Sequence, residues 1–480
     1  IILGVSFFIY FYIKIKKKII NKYFLLAYFL SFFSIFYFKS HDDFSYYHLS
    51  SIINFTENKI EFGTHYFDIA FNHTSSLFHF HSLFKTYFTG DFFYQIGPLS
   101  IIIFVNTILF EKIFKNRKID YLDHIFYLNI FLLVFINVFF YRLAEHGTDR
   151  SAQILFFLTF ILSLMIVQSK NLVNRTFEQM IIIFALIISF KSFYILYSIL
   201  FLFIYLKFFK ILDFTKFVKK FQVIYLCFLV FFLMLINNIA ASGCFVYPVV
   251  STCFESFFWG YGKENVISAM QWYEVWSKAG ATPNYRAENF NQYIENFNWV
   301  SNWINNYFFN KVSDFFFGVL LVILIFLITF KIKVFSIKNF RKYIFFYVIL
   351  LILFVEWFTN HPSLRYGGYV LIYLILSMPI AIFLSNQKYK FKDKKKSIKI
   401  IFSIVIILFI SRNVNRLVDE NKIYNYNLIK NPVYDIKQNY FTMQNRKKSN
   451  FYEPTICKKQ NSKKDLICKK IMGFNFYYKN

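Results

Sequence analysis

The sequence predicts an all-α, polytopic membrane protein with about 12 transmembrane helices and further helices lying along the outer membrane surface. Of the 480 residues, 57% are hydrophobic and the mean hydropathy is +0.44, which is too apolar for a protein whose surface lies in water. Apolar runs of helical length recur along the chain, and short clusters of Lys and Arg separate them. Loops of this kind stay on the cytoplasmic side of a membrane.

The basic clusters divide the chain into spans and loops. These clusters lie at 14–18, 112–118, 170–175, 207–220, 331–342 and 388–399. With all of them in the cytoplasm, the predicted spans are 1–13, 20–38, 98–114, 121–141, 153–168, 177–190, 192–206, 222–241, 314–331, 343–358, 369–385 and 398–411.

The stretch 177–206 is long enough for one tilted helix or for two short ones. A single helix would move the basic cluster 207–220 to the outer side, against the rule for basic loops. We therefore predict a tight helical hairpin with Lys191 near its outer turn, where Lys191 is a further candidate cation. One long helix is the alternative.

This topology makes residues 1–411 a transmembrane domain and residues 412–480 a short tail on the outer side. The outer loops are then 39–97, 142–152, 242–313 and 359–368. The cysteines give an independent check, because disulfides form in an oxidising compartment. All the predicted outer cysteines fall into two local pairs, Cys244–Cys253 and Cys457–Cys468, while Cys227 lies within a helix.

The net charge of +28 does not indicate binding to nucleic acid. The charged residues lie in short loops between apolar runs, and no soluble segment carries an aromatic and basic binding module. We predict membrane lipids as partners and no nucleic acid.

The first outer loop begins with a polar cluster, "HDDFSYYH", directly after an apolar helix. Helical spacing of apolar residues predicts one amphipathic helix from Asp42 onward and a second from Ile69 to Phe84. Such helices hold polar residues at the level of the lipid head groups. A carboxylate there can take the proton of an acceptor hydroxyl while a lipid phosphate departs. Asp42 or Asp43 suits that role, with His48 as a neighbouring substrate-binding candidate. Adjacent side chains diverge, so we expect only one acid at the site; a helix cap is the alternative for Asp42.

The same loop does not require a metal ion. His79 and His81 lie two positions apart, which does not suit a zinc site on a helix, and we predict no structural zinc. A divalent metal, Mg or Mn, held by Asp42 and Asp43 together with a substrate phosphate is an open alternative.

Two further outer turns carry charged residues. The turn "RLAEHGTDRSAQ" offers Glu145 and Asp149 as carboxylates and Arg150 as a phosphate clamp, with an ion-paired polar turn as the alternative. The turn "NHPSLRYGGY" places Arg365 and Tyr366 at a helix entrance. A guanidinium there suits a lipid-linked phosphate, although an arginine that only snorkels to the head groups is common.

The outer loop 242–313 is rich in aromatic residues. Trp259, Trp272, Tyr273 and Trp276 are the residue types of a sugar-stacking surface and equally of an interfacial aromatic belt. We favour the belt or the core of the loop.

This layout resembles the GT-C class of integral membrane glycosyltransferases. In that class a first large outer loop follows an early helix, carries an essential acid near its start and folds into helices along the membrane. The resemblance implies a polyprenyl-phosphate-linked sugar donor, an inverting transfer, and Asp42 or Asp43 as the acid. The stretches "HDDFSYYHLSSIINFTENKIEFG", "EHGTDRSAQ", "SGCFVYPVVSTCF" and "HPSLRYGGY" are similar, in this order, to a group of bacterial multi-pass membrane proteins without a settled activity.

We therefore expect a glycosyltransferase of the bacterial inner (cytoplasmic) membrane that acts on its outer face. Its acceptor is expected to be a cell-envelope glycan or lipid, since the tail is short where many GT-C enzymes have a soluble domain. The alternative is a non-catalytic flippase, transporter or polymerase-like protein of envelope polysaccharide assembly. A transporter should bury ionisable groups near the bilayer midplane, and the sequence places few there.

Overall fold

A computed structural model of the protein describes residues 21–34, 36, 42–84, 95–114, 124–143, 147–168, 173–208, 221–281, 287, 289–330, 340–387, 391–425, 437–453, 458–459 and 466–479. The residues that the structure describes are about 81% helical, so the all-α prediction is confirmed. The α-helices are α1 Lys22–Ser31, α2 Leu49–Glu57, α3 Ser76–Ser82, α4 Ile96–Phe114, α5 His124–Val134, α6 Thr148–Gln168, α7 Val173–Phe190, α8 Ile199–Phe208, α9 Phe221–Ser242, α10 Lys263–Lys278, α11 Phe290–Ile294, α12 Val300–Trp303, α13 Ser313–Thr329, α14 Ile344–Asn360, α15 Gly368–Ser385, α16 Phe391–Tyr424 and α17 Thr442–Asn450.

Five helical stretches in the described ranges are long and apolar enough to cross a bilayer. They are Ile96–Phe114, Thr148–Gln168, Val300–Thr329, Gly368–Ser385 and Lys394–Tyr424. Shorter apolar helices are Lys22–Ser34, His124–Phe139, Ser192–Phe208, Cys227–Ser242 and Ile344–Asn360. Each predicted span from 20–38 onward overlaps a helix, and the predicted span 1–13 lies outside the described residues.

Helix α6 forms the centre of the bundle. Of its most apolar window, 83% is buried, compared with 28% for the stretch Val300–Thr329. Helix α7 packs along α6, and α5 and α15 also contact it. The first turn of α6 therefore lies in the middle of one end of the bundle.

The chain reverses its direction at Lys191, between α7 and α8. Lys191 has an extended backbone, with φ −152° and ψ 109°, and ends the helix that precedes it. The ring of Phe201 on α8 lies 4.6 Å from Phe184 and 6.2 Å from Phe177, both on α7. The two helices are therefore antiparallel neighbours, so the predicted hairpin is confirmed and the single long helix is excluded.

Helix ends that border the basic clusters lie together at one end of the bundle. The ring of Tyr127 lies 5.3 Å from that of Phe330, and Nζ of Lys394 lies 5.8 Å from the Tyr127 ring. Ser397 Oγ donates to the carbonyl of Thr329 over 2.8 Å. The turns of the predicted outer loops lie at the opposite end of these helices.

Described residues between 44 and 78 and between 440 and 477 share one hydrophobic cluster at that opposite end. Phe44, Ile52 and Phe67 pack there with Phe451 and Tyr477. The tail segment also contains two antiparallel β hairpins, which the sequence did not predict: β1 Phe451–Glu453 with β2 Lys458–Lys459, and β3 Leu466–Ile471 with β4 Phe474–Lys479. We call the described residues of 44–84 and 437–479 the outer unit, because the sequence predicts that both segments lie on the outer side.

The helices of the first outer loop differ from the prediction in their boundaries. The first one starts with a π-helical turn, Phe44–His48, which continues into α2. The predicted helix from Ile69 to Phe84 is two pieces, a 3-10 helix Ile69–Asn72 and the short α3. The break occurs because Ser75 caps a new helix by accepting from the backbone N–H of Leu77.

The last predicted span, 398–411, is the middle of a helix of 34 residues, α16. Arg412 donates to the carbonyl of Val138 over 2.6 Å, and its guanidinium lies 4.2 Å from the ring centroid of Tyr141. These contacts hold the helix on the bundle beyond its apolar run. The segment predicted as a tail from residue 412 therefore begins with helix.

The outward face of α13 exposes large apolar side chains. Phe317, Leu321, Leu324 and Ile328 are 66%, 57%, 55% and 66% exposed. A continuous apolar face of this kind is unstable in water and is typical of a surface that lipid or another protein covers.

Candidate functional site

Arg365 joins two carboxylates from distant parts of the chain. Its Nε donates to Oδ2 of Asp149 over 2.8 Å, and its Nη2 donates to Oδ2 of Asp43. Lys191 Nζ lies 3.2 Å from Oδ1 of the same Asp149. We call Asp43, Asp149, Lys191 and Arg365 the ion cluster. Its two positive and two negative charges balance, as burial of charged groups requires.

Each member of the ion cluster comes from a different predicted outer turn. Asp43 directly precedes the π-helical turn of the outer unit, and Asp149 lies in the first turn of α6. Lys191 is the reversal point between α7 and α8, and Arg365 lies in the 3-10 turn Leu364–Tyr366. Three of the sequence motifs thus meet at one place.

The turn that carries Arg365 is fixed by Gln153 of α6, which is fully buried. Its Nε2 donates to the carbonyls of Leu364, over 3.3 Å, and Arg365, over 3.1 Å. Its Oε1 accepts from the backbone N–H of Val370 over 3.0 Å. One side chain therefore satisfies three backbone groups that no helix satisfies here.

Other helices hold the same turn from the opposite side. Trp357 Nε1 donates to the carbonyl of Ser363 over 2.8 Å, and Trp303 Nε1 donates to that of Pro362 over 2.9 Å. The hydroxyl of Tyr307 accepts from the backbone N–H of Leu364 over 2.9 Å. These bonds pre-organise the position of the guanidinium before any ligand binds.

Glycine is required where the turn meets α15. Gly367 has φ +103°, and a Cβ at this position would lie 2.0 Å from the hydroxyl oxygen of Tyr197. The "GG" of the motif therefore permits both the left-handed backbone and the close packing of the turn on the hairpin.

A cavity of about 620 Å³ lies beside the ion cluster. This volume is within the range of pockets that bind small molecules. Lys191 of the ion cluster reaches its wall, together with Tyr47, Thr148 and Tyr366. Further polar side chains in the wall are Asn72, His73, Asn238, Tyr247, Tyr273, Glu274, Glu356, Asn360 and His361.

The fourth sequence motif, "SGCFVYPVVSTCF", forms another wall of this cavity with residues 246–251. The predicted disulfide Cys244–Cys253 is present and closes this loop. Cys468 is also disulfide-bonded. Its predicted partner, Cys457, lies outside the described residues.

Two titratable groups at or beside the cavity, His73 and Arg365, each keep one protonation state near pH 7. Burial, together with the neighbouring charge of Lys191, lowers the pKa of His73 to about 3. The neutral ring bonds to the hydroxyl of Tyr273 over 2.8 Å. Burial alone would lower the pKa of Arg365, but Asp43 and Asp149 raise it well above its usual value. Arg365 therefore stays positively charged.

Of the two adjacent acids in the first motif, Asp43 reaches the ion cluster and Asp42 does not. The Asp42 carboxylate is exposed, and within the described ranges it forms no ion pair. The backbone carbonyl of Asp42 accepts from Ser45 Oγ over 2.9 Å. Asp43 occupies the cap position of the π-helical turn without a side-chain cap bond. Since Arg365 faces the Asp43 carboxylate, a divalent cation shared by the two acids has an unfavourable electrostatic environment.

Arg150 lies apart from the ion cluster. Its guanidinium carbon is 5.2 Å from the ring centroid of Phe140 and 5.5 Å from that of Tyr369. Residues 149 and 150 are successive on α6 and therefore point about 100° apart. Glu145, the other candidate of this motif, lies outside the described residues.

The remaining candidates border the ion cluster in different ways. Tyr366 lines the cavity, and its ring lies 5.9 Å from Lys191 Nζ and 6.2 Å from the ring of Trp276. His48 is 7% exposed and packs behind the cavity wall, 4.4 Å from the ring of Tyr47. It supports the wall and does not line the cavity.

Gln153, Glu356 and His361 were not among the residues that the sequence singled out as site candidates. A signal for one of them exists, because Glu356 is an ionisable residue inside an apolar helix, where such residues usually have a function.

A second cavity, of about 440 Å³, lies between α13 and α16. Most of its wall is apolar and includes Gly318, Leu321, Val322, Ile325, Ile401, Ile404, Val405 and Leu408. Polar side chains at its rim are Asn310, Lys311, Asp314 and Arg412. Tyr369, one of the two rings beneath Arg150, also lines it. We call this cavity the apolar groove.

Comparison with known proteins gives one family. Neither the curated proteins nor the solved structures contain a match to this chain. Residues 2–372 match the family described as a domain of unknown function, DUF8201. This range includes the whole ion cluster and every residue that lines the larger cavity. The protein therefore belongs to the DUF8201 family of domains of unknown function.

Proposed function

We propose that the protein is a membrane glycosyltransferase that moves a sugar from a polyprenyl-phosphate-linked donor to a cell-envelope glycan or lipid. One observation carries the proposal: Asp43 and Asp149 share the guanidinium of Arg365 beside a cavity of about 620 Å³. An acid, two cations and a cavity of ligand size are the groups that this reaction uses.

The two acids differ in their access to a substrate. The side chain of Asp43 is 20% exposed and that of Asp149 is 8% exposed. Asp149 also has two cationic neighbours, Arg365 and Lys191, so we assign it the structural role of counter-ion. Asp43 is the carboxylate that an acceptor can reach, and we assign it the role of general base.

The proposed transfer is a single displacement. The acceptor oxygen attacks the anomeric carbon of the donor, and its proton passes to the carboxylate of Asp43. The bond from that carbon to the phosphate oxygen breaks, and the electron pair stays on the phosphate. Arg365 and Lys191 stabilise the charge that develops on this leaving group. A single displacement inverts the configuration of the anomeric carbon.

The apolar groove supports a donor with a lipid chain. Its wall consists largely of aliphatic side chains on α13 and α16, and Lys311 and Arg412 stand at its rim. A prenyl chain would gain free energy by covering such a surface. Tyr369 connects the groove to the neighbourhood of Arg150 and thereby to the start of α6.

We place about 12 predicted spans in the bacterial inner membrane, with the ion cluster at the outer face. Two observations support this placement. The basic helix ends around Lys394 and Phe330 share one end of the bundle. The predicted outer turns share the other end with the outer unit.

The test separates the two acids of the first motif. In cells that lack the gene, the wild type, Asp43→Asn and Asp42→Asn are each supplied, and sugar incorporation into surface glycans is followed. We expect Asp43→Asn to reduce incorporation by a factor on the order of 100 or more, since it removes the base, whereas Asp42→Asn retains it. Unchanged incorporation in both variants, or in the cells without the gene, overturns the proposal.

A second measurement separates an enzyme from the alternative, a flippase or transporter. The protein is extracted in detergent and incubated with a radiolabelled polyprenyl-phosphate sugar and cell-envelope glycolipids from the same cells. An enzyme transfers label without a sealed membrane, whereas a flippase needs two compartments. Loss of all label transfer in detergent, with glycan defects in the cells, would favour the flippase.

A further inference from the structure

Glu356 and His361 face the larger cavity from the C-terminal end of α14. Oε1 of Glu356 accepts from Nδ2 of Asn360 over 3.2 Å. The other carboxylate oxygen, Oε2, is buried without a hydrogen-bond partner among the residues that the structure describes. The same holds, within those residues, for Nδ1 of His361.

Unpaired buried polar groups of this kind are rare and unfavourable. More than about 90% of buried polar groups in proteins have a partner, and one that lacks it costs roughly 1–3 kcal/mol. A carboxylate inside an apolar helix adds to this cost. Two such groups in the wall of one cavity indicate that a ligand supplies the missing hydrogen bonds.

The ring of Tyr366 contacts both the pair and the ion cluster. It lies 5.7 Å from the ring of His361 and 5.9 Å from Nζ of Lys191. The cavity therefore has two polar regions. The region at Lys191 carries cations, and the region at Glu356 carries an acid and an imidazole.

The residue types at the second region favour a hydroxyl-bearing ligand. Burial lowers the pKa of His361 to about 4, so the imidazole is neutral at pH 7 and offers one donor and one acceptor. A hydroxyl group both donates and accepts, and thus suits Glu356 and His361 together; an ammonium group can only donate. Tyr247, Tyr273 and Phe193 in the same wall provide aromatic surfaces for the apolar face of a sugar ring.

We propose that Glu356 and His361 bind hydroxyl groups of the acceptor saccharide and so form the acceptor subsite of the cavity. The inference rests on the proposed function and names the residues that select its acceptor. The phosphate of the donor then occupies the side of Lys191 and Arg365, and the acceptor occupies the side of Glu356.

Binding is measured on the full chain in a detergent without a sugar head group. The probes are the methyl glycosides of glucose, galactose, mannose and N-acetylglucosamine, and the readout is the thermal unfolding midpoint as a function of glycoside concentration. We expect at least one glycoside to raise the midpoint of the wild type. We expect Glu356→Gln and His361→Ala to weaken that binding about tenfold or more, since each removes a hydrogen-bonding group. Glu264→Gln, at an exposed acid of α10, is the matched control and binds as the wild type does.

The inference is overturned when no glycoside stabilises the wild type, or when both variants bind as the wild type does. The second variant keeps the test valid in the event that one fails to fold. Failure of the proposed function is a separate result. If the wild type binds a glycoside through Glu356 but transfers no label, the subsite is supported and the proposed enzymatic function is contradicted. If the enzyme is active and Glu356→Gln has the same KM for the acceptor as the wild type, the proposed function is supported and the subsite is contradicted.

Discussion

Arg365 and Asp149 form a hydrogen-bonded ion pair of 2.8 Å although they lie 216 positions apart in the chain. The pair connects the turn after α14 to the first turn of the central helix α6. Asp43, which directly precedes the outer unit, accepts a hydrogen bond from the same guanidinium. One side chain thus holds three parts of the molecule together beside the larger cavity.

The first prediction concerns Arg365→Lys. A lysine keeps the positive charge but has one nitrogen, so it cannot serve Asp43 and Asp149 with separate donors in a fixed geometry. We expect label transfer to fall by a factor on the order of 100 while the protein still folds, because positioning errors of about 1 Å have effects of that size. Arg341→Lys, at an exposed arginine near the basic end of the bundle, is the control and retains transfer. Equal transfer in both variants would contradict the assigned role.

The second prediction concerns Gln153→Leu, which keeps the size of the side chain and removes its hydrogen bonds. Three backbone groups at the Arg365 turn then lose their partner, each at a cost of roughly 1–3 kcal/mol. We expect transfer to fall more than tenfold, with the thermal midpoint only a few degrees lower. Gln168→Leu, at the exposed far end of the same helix, should change neither quantity. A loss of stability without any loss of transfer in Gln153→Leu would show that the residue does not position Arg365.

The third prediction concerns the buried ion pair of Lys447 and Glu61, which joins the two segments of the outer unit. Nζ of Lys447 donates to Oε2 of Glu61 and, over 2.6 Å, to Oδ1 of Asn54. Lys447→Ala leaves the acid buried without its counter-charge, which costs about 3–5 kcal/mol.

We expect this variant to expose the tail segment to limited proteolysis and to lower the thermal midpoint. The double variant Glu61→Gln/Lys447→Met should lose much less stability than Lys447→Ala, because it contains no unpaired buried charge. Lys448→Ala changes the exposed neighbour and serves as the control. A resistant tail in Lys447→Ala would argue against a structural role for the pair.

The fourth prediction concerns pH and His81. Nε2 of His81 accepts from the backbone N–H of Gly97 over 3.1 Å, and burial lowers the pKa of the imidazole from 6.5 to about 3. Below pH 6.5 the unfolded chain binds a proton that the folded protein excludes. The stabilisation is therefore complete above that pH and is lost as the pH falls towards 3, by about 1.4 kcal/mol per pH unit.

We expect the thermal midpoint of the wild type to fall between about pH 7.5 and about pH 5. His81→Gln retains an acceptor that does not titrate, and its midpoint should fall less over the same interval. Identical pH profiles of the two proteins would show that His81 does not contribute to the acid sensitivity.

Many of the helices were predictable because a helix that crosses a bilayer must be apolar, and apolar runs are visible in the sequence. Apolar runs and basic clusters predicted the helices and the reversal at Lys191, where Phe201 returns to Phe184. The motifs predicted Asp43, Asp149 and Arg365 as site residues, and the structure brings these three together. The sequence also predicted one disulfide that is now described, Cys244–Cys253.

Other features depend on tertiary packing and leave little trace in local pattern. Arg150 and Asp149 are adjacent in sequence, but their side chains point in different directions on α6. Arg150 therefore contacts aromatic rings, whereas Asp149 contacts Arg365. The hairpin of β3 and β4 forms against Phe62, a residue more than four hundred positions earlier. Its alternation of polar and apolar residues is weak by itself, so no strand was predicted there.

The contact of Ser50 with Gln444 has a consequence for the biogenesis of the molecule. Ser50 Oγ donates to Oε1 of Gln444 over 2.7 Å, across a separation of 394 residues. The ribosome must therefore polymerise almost the whole bundle before the polypeptide around Ser50 finds its final neighbours. Until then the side chains around Ser50 lack these partners, and a premature stop codon before Gln444 leaves them without this contact for good.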